Sequence, residues 1–581
     1  MSRYRLEMRR RCLLVLLATA VAGFVSFTSS TAGAAIEKRR VEASAQASAV
    51  FLDLARQDDS LPRGPVKHAP RPHRRFGNAT TASPAPEEGA VDAPFPQSTL
   101  LTPGSVAGFV AVLDNDSTDP PDTNGAVGPA HVMTTLNSQV RIQDRVGANL
   151  GTVSIETFVA SVAPGEFLSD PHVTFDPYGG RWIFTVAIFP PGAGGSLVVA
   201  VSTTVDPTAT WNFFRFDDPD QTLYIDYPSL GFNKDWIVID TDMFSADGTS
   251  ITEHVWVFDK TKLYAGVAAA PTVFTGIQDS TVVPATTYDP ALDFVYLVSA
   301  YNGAAKQLRL YAVGSSAGTP TFTAGGAIIG TSAWDDYAQS QGNGGWAKQK
   351  GTTATLDPGD SRIINATFRN GSLWASHTVF LPRGQAAQHA AGQWWEIRPP
   401  ADISADITPR QVGRIEDATG VQSYCYTSIA VNEAGDVLLG GTRFAADRYP
   451  AVFGAFHGAG DAPGVTRAPR IYKEGESKVA KGGGDFRWGD YSATVPDPDG
   501  LTFWTLQEYG STPVGDDRWG TWWAHVDPSK NFSAPGKKHR GPLGCSCDLA
   551  EGGEVSLGGA CAACVLALAT VLRRRRKEPG D

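Results

Sequence analysis

The sequence predicts an all-β protein, a seven-bladed β-propeller, and two observations lead to that fold class. The first is composition: 14 Trp, 16 Tyr and 28 Phe occur with 61 Gly and 39 Pro in 581 residues. This mixture favours short strands joined by tight turns. The second is an internal repeat, in which a short apolar strand, a polar turn and an aromatic-rich strand recur. Helical periodicity is almost absent between residues 106 and 530.

Seven copies of the repeat can be followed along the sequence. In two of them, residues 170–177 lead into a strand at 181–186, and residues 226–233 lead into one at 236–239. The other copies begin near residues 124, 283, 361, 426 and 490. A second pair of strands follows in most copies, which gives four strands a unit. One unit alone cannot bury its apolar face, so the units are expected to close into a ring. A long array of β-sandwiches is the alternative.

The N-terminal residues 1–34 have the pattern of a secretory signal peptide. A cluster of arginines precedes an apolar run at 12–27, and Ala32-Gly33-Ala34 offers a cleavage site after Ala34. An N-terminal anchor helix is the alternative. Residues 35–105 are predicted to hold one helix, at 41–57, followed by a linker rich in Pro, Ala and Ser. The propeller is expected to occupy residues 106–530.

Net charge and cysteine content argue against nucleic-acid binding and against an internal disulfide. The chain has a formal net charge of −11, and the excess of acidic residues lies in the body of the chain rather than at its basic ends. Phosphate backbones repel such a surface, so no nucleic-acid partner is expected. Cys425 is the one cysteine between residues 35 and 544, which excludes a disulfide within that region. Packing must therefore stabilise the fold.

The C-terminal tail, residues 545–581, follows a spacer at 531–544 and contains three features in order. Cys545 and Cys547 come first, a weakly apolar segment at 556–572 follows, and Arg573, Arg574, Arg575 and Arg576 close the motif. This arrangement resembles the MYXO-CTERM surface-sorting signal of myxobacteria and their relatives. The resemblance implies a transmembrane sorting helix, export machinery and a sorting protease as partners, transient anchoring in the inner membrane, and delivery to the outer surface. A permanent C-terminal anchor is the alternative.

Several motifs in the body resemble secreted bacterial sialidase-like or BNR-like propeller proteins, a poorly characterised group. The resemblance covers roughly residues 110–527. It rests on the motifs at 121–129, 226–228, 375–379, 487–492, 503–509 and 519–522. It implies the propeller fold more than any activity.

A sialidase-like site needs arginines, a Tyr/Glu nucleophile pair and an acidic proton donor. Asp490, Glu508, Tyr491 and Arg487 are the catalytic candidates, with Arg181, Arg443 and Arg518 as further arginines. The recurring position of the inner strand would bring carboxylates to one rim, as glycoside hydrolysis requires. In the alternative interpretation, Arg487 pairs with Asp490 and the acidic residues stabilise turns.

Calcium is the cofactor that the sequence favours, if there is one. One short segment supplies many oxygen ligands: Asp114, Asp116, Asp119, Asp122 and Asn124. The segment lacks the spacing of an EF-hand, and a solvated acidic turn is the alternative. No spacing typical of a zinc site occurs in the body.

Two functions therefore remain open. The first is a secreted, surface-displayed propeller that binds glycans or partner proteins at the cell surface. The second is an extracellular glycan-cleaving hydrolase, sialidase-like, with carboxylates at the mouth of the propeller.

Overall fold

The computed structural model describes residues 35–58, 67–68, 95–189, 194–246, 248, 251–335, 346–383, 387–481, 486–512 and 517–530. These lie within one compact unit, Met1–Asn531. The all-β prediction is confirmed, because the described residues are mainly strands with three short helices, α1 (Phe51–Asp58), α2 (Ile155–Val159) and α3 (Lys260–Tyr264), and one 3₁₀ turn (Pro528–Lys530).

The N-terminal part of the described chain contains six strands and α1. They are β1 (Glu37–Arg40), β2 (Ala43–Val50), β3 (Lys67–His68), β4 (Gln97–Leu101), β5 (Ser105–Leu113) and β6 (Thr118–Asp119). The single helix predicted at 41–57 is wrong over its first half. In β2, small apolar residues alternate with polar ones, and alternate residues are half-buried and exposed. This period of two fits a strand at the edge of a sheet.

The next sixteen strands pair antiparallel in four sets of four, numbered in chain order, and the third and fourth of these sets belong to one larger sheet that continues into the fifth. Set 1 contains β7 (Asn124–Val127), β8 (His131–Thr135), β9 (Gln139–Asp144) and β10 (Asn149–Ser154); set 2 contains β11 (Leu168–Asp176), β12 (Arg181–Ile188), β13 (Ser196–Ser202) and β14 (Thr210–Asp217). Set 3 contains β15 (Leu223–Phe232), β16 (Trp236–Ser245), β17 (Ile251–Asp259) and β18 (Thr272–Ile277); set 4 contains β19 (Val283–Thr287), β20 (Val295–Asn302), β21 (Gln307–Ser316) and β22 (Thr319–Ile329).

Three further sets follow, and the last borrows a strand from the N-terminal part. Set 5 contains β23 (Ile363–Arg369), β24 (Ser372–Leu381), β25 (His389–Ile397) and β26 (Gln411–Ile415). Set 6 contains β27 (Gln422–Val431), β28 (Val437–Ala445), β29 (Arg448–His457) and β31 (Arg470–Lys473), while the short β30 (Thr466–Ala468) pairs with β4. Set 7 contains β32 (Ala493–Pro496), β33 (Phe503–Ser511) and β34 (Arg518–Val526), and β5 is its fourth strand.

Two N-terminal strands cover the outer edges of sets 2 and 3. The strand β2 pairs with β14, and β1 pairs with β18, both antiparallel. Exposed edge strands invite pairing with other chains, so this cover protects both sets. Residues 35–50, predicted to precede the propeller, are therefore part of its sheets.

The sets are arranged as in a propeller. The first strand of each set contacts the first strand of the next, from β7 through β11, β15, β19, β23 and β27 to β32, and β32 contacts β7. Apolar side chains fill the space between neighbouring sets. Trp182 and Met133 belong to the core between sets 1 and 2, and Phe456 and Phe503 to that between sets 6 and 7. Flat sheets stacked in this way bury each other's apolar faces.

Candidate functional site

In four of the sets, a residue in the left-handed backbone region lies within the first strand or just before it. These residues are Asp122 (φ 51°), Asp170 (φ 61°), Tyr227 (φ 48°) and Tyr426 (φ 54°). A positive φ is uncommon for residues other than glycine. In β11, β15 and β27 it coincides with a shift in strand register, as at a β-bulge. The feature recurs at the first strands of four sets, and side chains from several sets meet beside these strands.

The gathered side chains form what we call the inner-strand cluster. Its members come from sets 1, 2, 3, 5 and 7 or from the segments that lead into them: Asp122, Asp170, Asp226, Tyr227, Arg362, Arg487, Asp490, Tyr491 and Glu508. The arginines and Asp226 and Asp490 border the solvent or lie close to it. The side chains of Arg487 and Asp490 are 18% and 19% exposed.

Asp122 connects three of the sets at the centre of the cluster. Its Oδ1 accepts a hydrogen bond from the backbone N–H of Asp490 at 2.8 Å. Its Oδ2 accepts one from Nδ2 of Asn137 at 2.6 Å, and the Asn137 amide oxygen accepts the N–H of Asp170 at 2.8 Å. Asp170 in turn accepts the N–H of Tyr227 at 3.3 Å. These bonds fix the backbone where three first strands begin.

Two arginines hold Asp490 in place. Arg487 donates to Oδ2 of Asp490 at 2.7 Å, and a guanidinium nitrogen of Arg362 lies 3.7 Å from Oδ1. Arg362 also donates through Nε to both carboxylate oxygens of Asp360, at 2.7 and 2.8 Å. The pairing of Arg487 with Asp490, expected from their spacing, is present in the structure.

Aromatic rings support the arginines from beneath. The Arg362 guanidinium carbon lies 4.2 Å from the centre of the Tyr227 ring. The Tyr227 ring stacks on the Tyr491 ring at 4.4 Å, and His172 contacts Tyr491 edge-on, also at 4.4 Å. Cation–π contact and ring stacking fix the direction of the guanidinium group.

Burial and crowding change the acidity of this cluster. Burial, reinforced by the nearby Asp490, raises the pKa of Asp122 to about 6. Burial also raises the pKa of Asp170, and the carboxylates of Asp226 and Asp122 add to this effect. Glu508 is raised in pKa by burial as well, although a hydrogen bond from Thr123 opposes the change. Burial and mutual repulsion therefore favour the protonated form of Asp122, Asp170 and Glu508 more than in an exposed carboxyl group.

Arg487 stays charged although it lies in a mostly buried cluster. Burial tends to lower the pKa of Arg487, but the carboxylates of Asp490, Asp122 and Asp357 outweigh it and raise that pKa overall. A fixed cation beside carboxyl groups can donate to a ligand oxygen while the carboxylates accept from hydroxyls.

The four catalytic candidates from the sequence lie together in this cluster. Besides Arg487 and Asp490, Tyr491 is buried and its hydroxyl has no hydrogen-bond partner among the described residues. Glu508 accepts a hydrogen bond from the Thr123 hydroxyl at 2.6 Å. A Cβ at Gly489, where φ is 147°, would lie 3.0 Å from Oε1 of Glu508. Close approach of the backbone to Glu508 thus explains the glycine.

The other arginines considered for a sialidase site do not join the cluster. Arg443 contacts Glu474 at 3.4 Å, Arg518 contacts Asp116 at 2.6 Å, and Arg181 donates to the carbonyls of its own turn. A three-arginine carboxylate site built from these residues is therefore not formed.

The five calcium candidates are dispersed in the structure. Asp114 and Asp116 form ion pairs with Lys481 and Arg518. Asp122 belongs to the inner-strand cluster, and Oδ1 of Asn124 accepts the N–H of Val173 at 2.9 Å. Asp119, in the short strand β6, pairs through its backbone with β3. The segment does not form a single set of ligands, because two basic side chains distant in sequence neutralise its exposed end.

The sequence-predicted processing residues cannot be located in the same way. Ala34, Cys545, Cys547 and the arginines 573–576 lie outside the described residues, as does the apolar segment 556–572. Within the described residues, none of the helices has the length and apolar character needed to cross a bilayer.

Sequence reasoning missed Arg362 and Tyr227. Arg362 lies directly before the first strand of set 5, and Tyr227 lies within β15 of set 3. Tyr227 shares its left-handed backbone with Asp122 and Asp170 of sets 1 and 2, so aligning the repeats on the first strand would have marked Tyr227.

Comparison with known proteins gives weak similarities only. No protein-family model matches the chain, and no curated protein matches its sequence significantly. Among solved structures, a subtype N10 neuraminidase-like protein of A/little yellow-shouldered bat/Guatemala/060/2010 is 9% identical, with 58% of this chain and 94% of that one covered and a TM-score of 0.33. The WD40 domain of SCAP from fission yeast is 10% identical, covering 70% and 96%, with a TM-score of 0.29. A GH43_1 enzyme from Xanthomonas citri is 10% identical, covering 54% and 94%, with a TM-score of 0.27. Similarities this low transfer no activity to the chain.

Proposed function

We propose that the protein is a seven-bladed β-propeller that binds a hydroxyl-rich ligand, a glycan, at the inner-strand cluster and is displayed on the outer surface of the cell. The observation that carries the proposal is the convergence of carboxylates and arginines from five sets on the place where the first strands begin. Binding sites in propellers and barrels form where loops or strand ends from many units meet.

Three features support a closed ring of seven blades. Each of the seven sets has four antiparallel strands, and neighbouring sets share an apolar core. Set 7 shares such a core with set 1, through Val132, Trp504 and Trp523. The strand β5 completes set 7 from the N-terminal side, which joins the two ends of the described chain.

The chemistry of the cluster favours a neutral sugar over an anionic one. Asp226 and Asp490 are partly exposed and offer acceptors to hydroxyl groups, while Arg362 and Arg487 are already paired with carboxylates. Acidic groups outnumber basic ones, so a carboxylated sugar such as sialic acid would meet repulsion. Vicinal hydroxyls, which both donate and accept, fit alternating carboxylates and guanidinium groups.

The test is glycan binding by the full-length protein and by its Asp490→Asn variant. We expect a glycan array to identify a neutral oligosaccharide, and calorimetry to show binding weakened about 10- to 100-fold in the variant, as for loss of a charged hydrogen bond. Asp402→Asn, an exposed carboxylate in the segment before β26, is the matched control and should bind normally. Equal affinity of Asp490→Asn, with both variants folded, would contradict the proposal.

A glycoside hydrolase is the second candidate, and one observation favours it. Asp122, with a pKa of about 6, lies beside Asp490, so a carboxyl that can donate a proton neighbours one that can accept. If this is the activity, reducing ends should be released from a neutral glycan and Asp490→Asn should reduce the rate at least 100-fold while the glycan still binds. Binding without release by the wild-type protein, across a broad panel, excludes this candidate.

Surface display has its own test, in the C-terminal tail. Replacing Cys545 and Cys547 with serine is expected to leave the uncut protein in the inner membrane, because the sorting protease would lose its recognition motif. Fractionation and surface labelling of cells measure this, with the spacer variant Ser533→Ala as control. Unchanged display of the double-serine variant would refute the sorting role of the tail.

A further inference from the structure

Set 3 contains three carboxylates with no exposure to solvent. None of them is among the metal-ligand candidates of the sequence analysis. They are Asp240 and Asp242 on β16 and Glu253 on β17. Alternate residues on a strand lie on the same face, and Asp242 is directly opposite Glu253 in the register of the two strands. One oxygen from each carboxylate can be chosen so that all three lie within 4.8 Å of one another.

The segment that leads into set 4 closes over these carboxylates. The N–H of Thr281 donates to Glu253 at 3.0 Å, its hydroxyl to Asp242 at 3.1 Å, and the N–H of Val282 to Asp240 at 2.7 Å. Thr281 has a φ of 50°, which is unfavourable for a β-branched residue. All three donors are neutral, so they orient the carboxylates without balancing their charge.

Two oxygens of this group have no hydrogen-bond partner among the described residues. They are Oδ1 of Asp240 and Oε2 of Glu253, both fully buried. A buried carboxylate oxygen without a donor is unfavourable, and native proteins rarely leave one. Both oxygens belong to residues of this closely spaced group, in which one oxygen from each carboxylate lies within 4.8 Å of the others.

The neighbouring Asp279 is a fourth acidic side chain, so it adds to the negative charge of the group rather than balancing it. Its own carboxylate accepts hydrogen bonds from the Tyr311 hydroxyl at 2.6 Å and from Ser299 at 2.9 Å, and Arg309 lies 3.8 Å from it. The group needs either shared protons or a cation to be stable.

We propose that Asp240, Asp242 and Glu253 bind a divalent cation, with calcium as the preferred ion. The donor set is oxygen only, which suits calcium, magnesium or manganese and not zinc or copper. Two oxygens on one calcium ion lie at most about 4.8 Å apart, twice a Ca–O distance of about 2.4 Å. One oxygen from each of the three carboxylates lies within 4.8 Å of the others, so a single ion can contact all three residues. Three carboxylates also supply the charge that calcium sites use.

The position of the site gives the ion a structural role. Asp240 and Asp242 lie opposite Ser229 and Asp226 of β15, so the ion would sit one strand from the inner-strand cluster. The backbone of Thr281 and Val282 leads directly into β19. A bound cation would therefore fix set 3 to the start of set 4 and reduce the negative charge beside Asp226.

The test uses the purified full-length chain, stripped with a chelator and titrated with calcium chloride. We expect about one equivalent to bind and the Tm to rise by about 5 °C at saturating calcium. Glu253→Gln and Asp240→Asn should abolish both effects. Asp116→Asn, in the exposed acidic turn, is the control and should retain them.

Either of two other results would contradict calcium binding by Asp240, Asp242 and Glu253. No bound metal and no calcium-dependent shift in the wild-type chain would mean that the carboxylates share protons. A shift lost in Asp116→Asn but kept in Glu253→Gln would assign calcium to the acidic turn. A wild-type chain that binds no calcium rules the proposal out even if a variant fails to fold, and either Glu253→Gln or Asp240→Asn alone suffices to assign the site. Glycan binding is measured separately, so the two proposals can fail independently.

Discussion

Replacing Trp523 with alanine is expected to lower the free energy of unfolding by about 3–5 kcal/mol, the usual cost of removing a buried Trp side chain. Trp523, on β34, is fully buried in the core that sets 7 and 1 share. Its indole N–H donates to the Thr134 hydroxyl of set 1 at 2.9 Å. The substitution would therefore leave both a cavity and an unpaired buried hydroxyl at the contact between the last and first sets.

Chemical denaturation followed by tryptophan fluorescence and circular dichroism measures this change. The neighbouring Trp522→Ala is the matched control, because Trp522 is on the opposite face of β34 and only partly buried. It should cost about 1 kcal/mol. Equal effects of the two substitutions would show that the contact between sets 7 and 1 contributes little to stability.

The stability of the protein is expected to fall as the pH rises from about 4 to 7. Asp122 has a pKa of about 6 in the folded chain, against an ordinary value of 3.8. The folded state thus binds a proton that the unfolded state has lost, and its stabilising effect is present below pH 4 and lost through pH 6. Asp122 alone accounts for about 3 kcal/mol, at 1.36 kcal/mol per pKa unit. Asp170 and Glu508, whose pKa values are also raised, act in the same direction.

Urea titrations at closely spaced pH values test this dependence. They are done with and without calcium, so that any effect of calcium on Asp240, Asp242 and Glu253 can be separated from the protonation of Asp122. Carboxyl groups with a lowered pKa, such as Asp497 beside Arg145, lose their stabilising effect only below pH 4. They therefore do not alter the change in stability expected between pH 4 and 7. Asp122→Asn should reduce the slope. A wild-type stability that stays constant or increases between pH 4 and 7 would contradict the proposed protonation of the cluster.

The all-β class and the repeat could be predicted because both are local properties of the sequence. Each set carries its own turns and its own aromatic-rich strands, so 170–186 and 226–239 can be recognised without any knowledge of their neighbours. The error at 41–57 has the same origin. The strand β2 is stable because it pairs with β14 as a fifth strand of set 2. The sequence around β2 does not indicate that partner.

The candidate site was predicted in part for a related reason. Arg487 and Asp490 are three residues apart, so their pairing follows from the sequence alone, whereas Arg362 reaches Asp490 from another set. Calcium binding at 114–124 stays a prediction, and the sequence could not show that Lys481 and Arg518, more than 350 positions away, pair with Asp116 of that segment. Asp240 and Asp242 gave a local signal, two alternating acids in an apolar strand, but their match with Glu253 depends on strand register.

The origin of β5 has a consequence for synthesis of the protein. Ser105–Leu113 precedes all of sets 1 to 6 in the sequence and Arg518–Val526 follows them, yet the two strands are neighbours in set 7. During synthesis, β5 therefore stays unpaired until β34 has been translated. Closing so long a loop is entropically costly and slow. A product that terminates early would expose β5 as a free edge, and at high concentration β5 could insert into the last sheet of a second copy, giving a domain-swapped dimer.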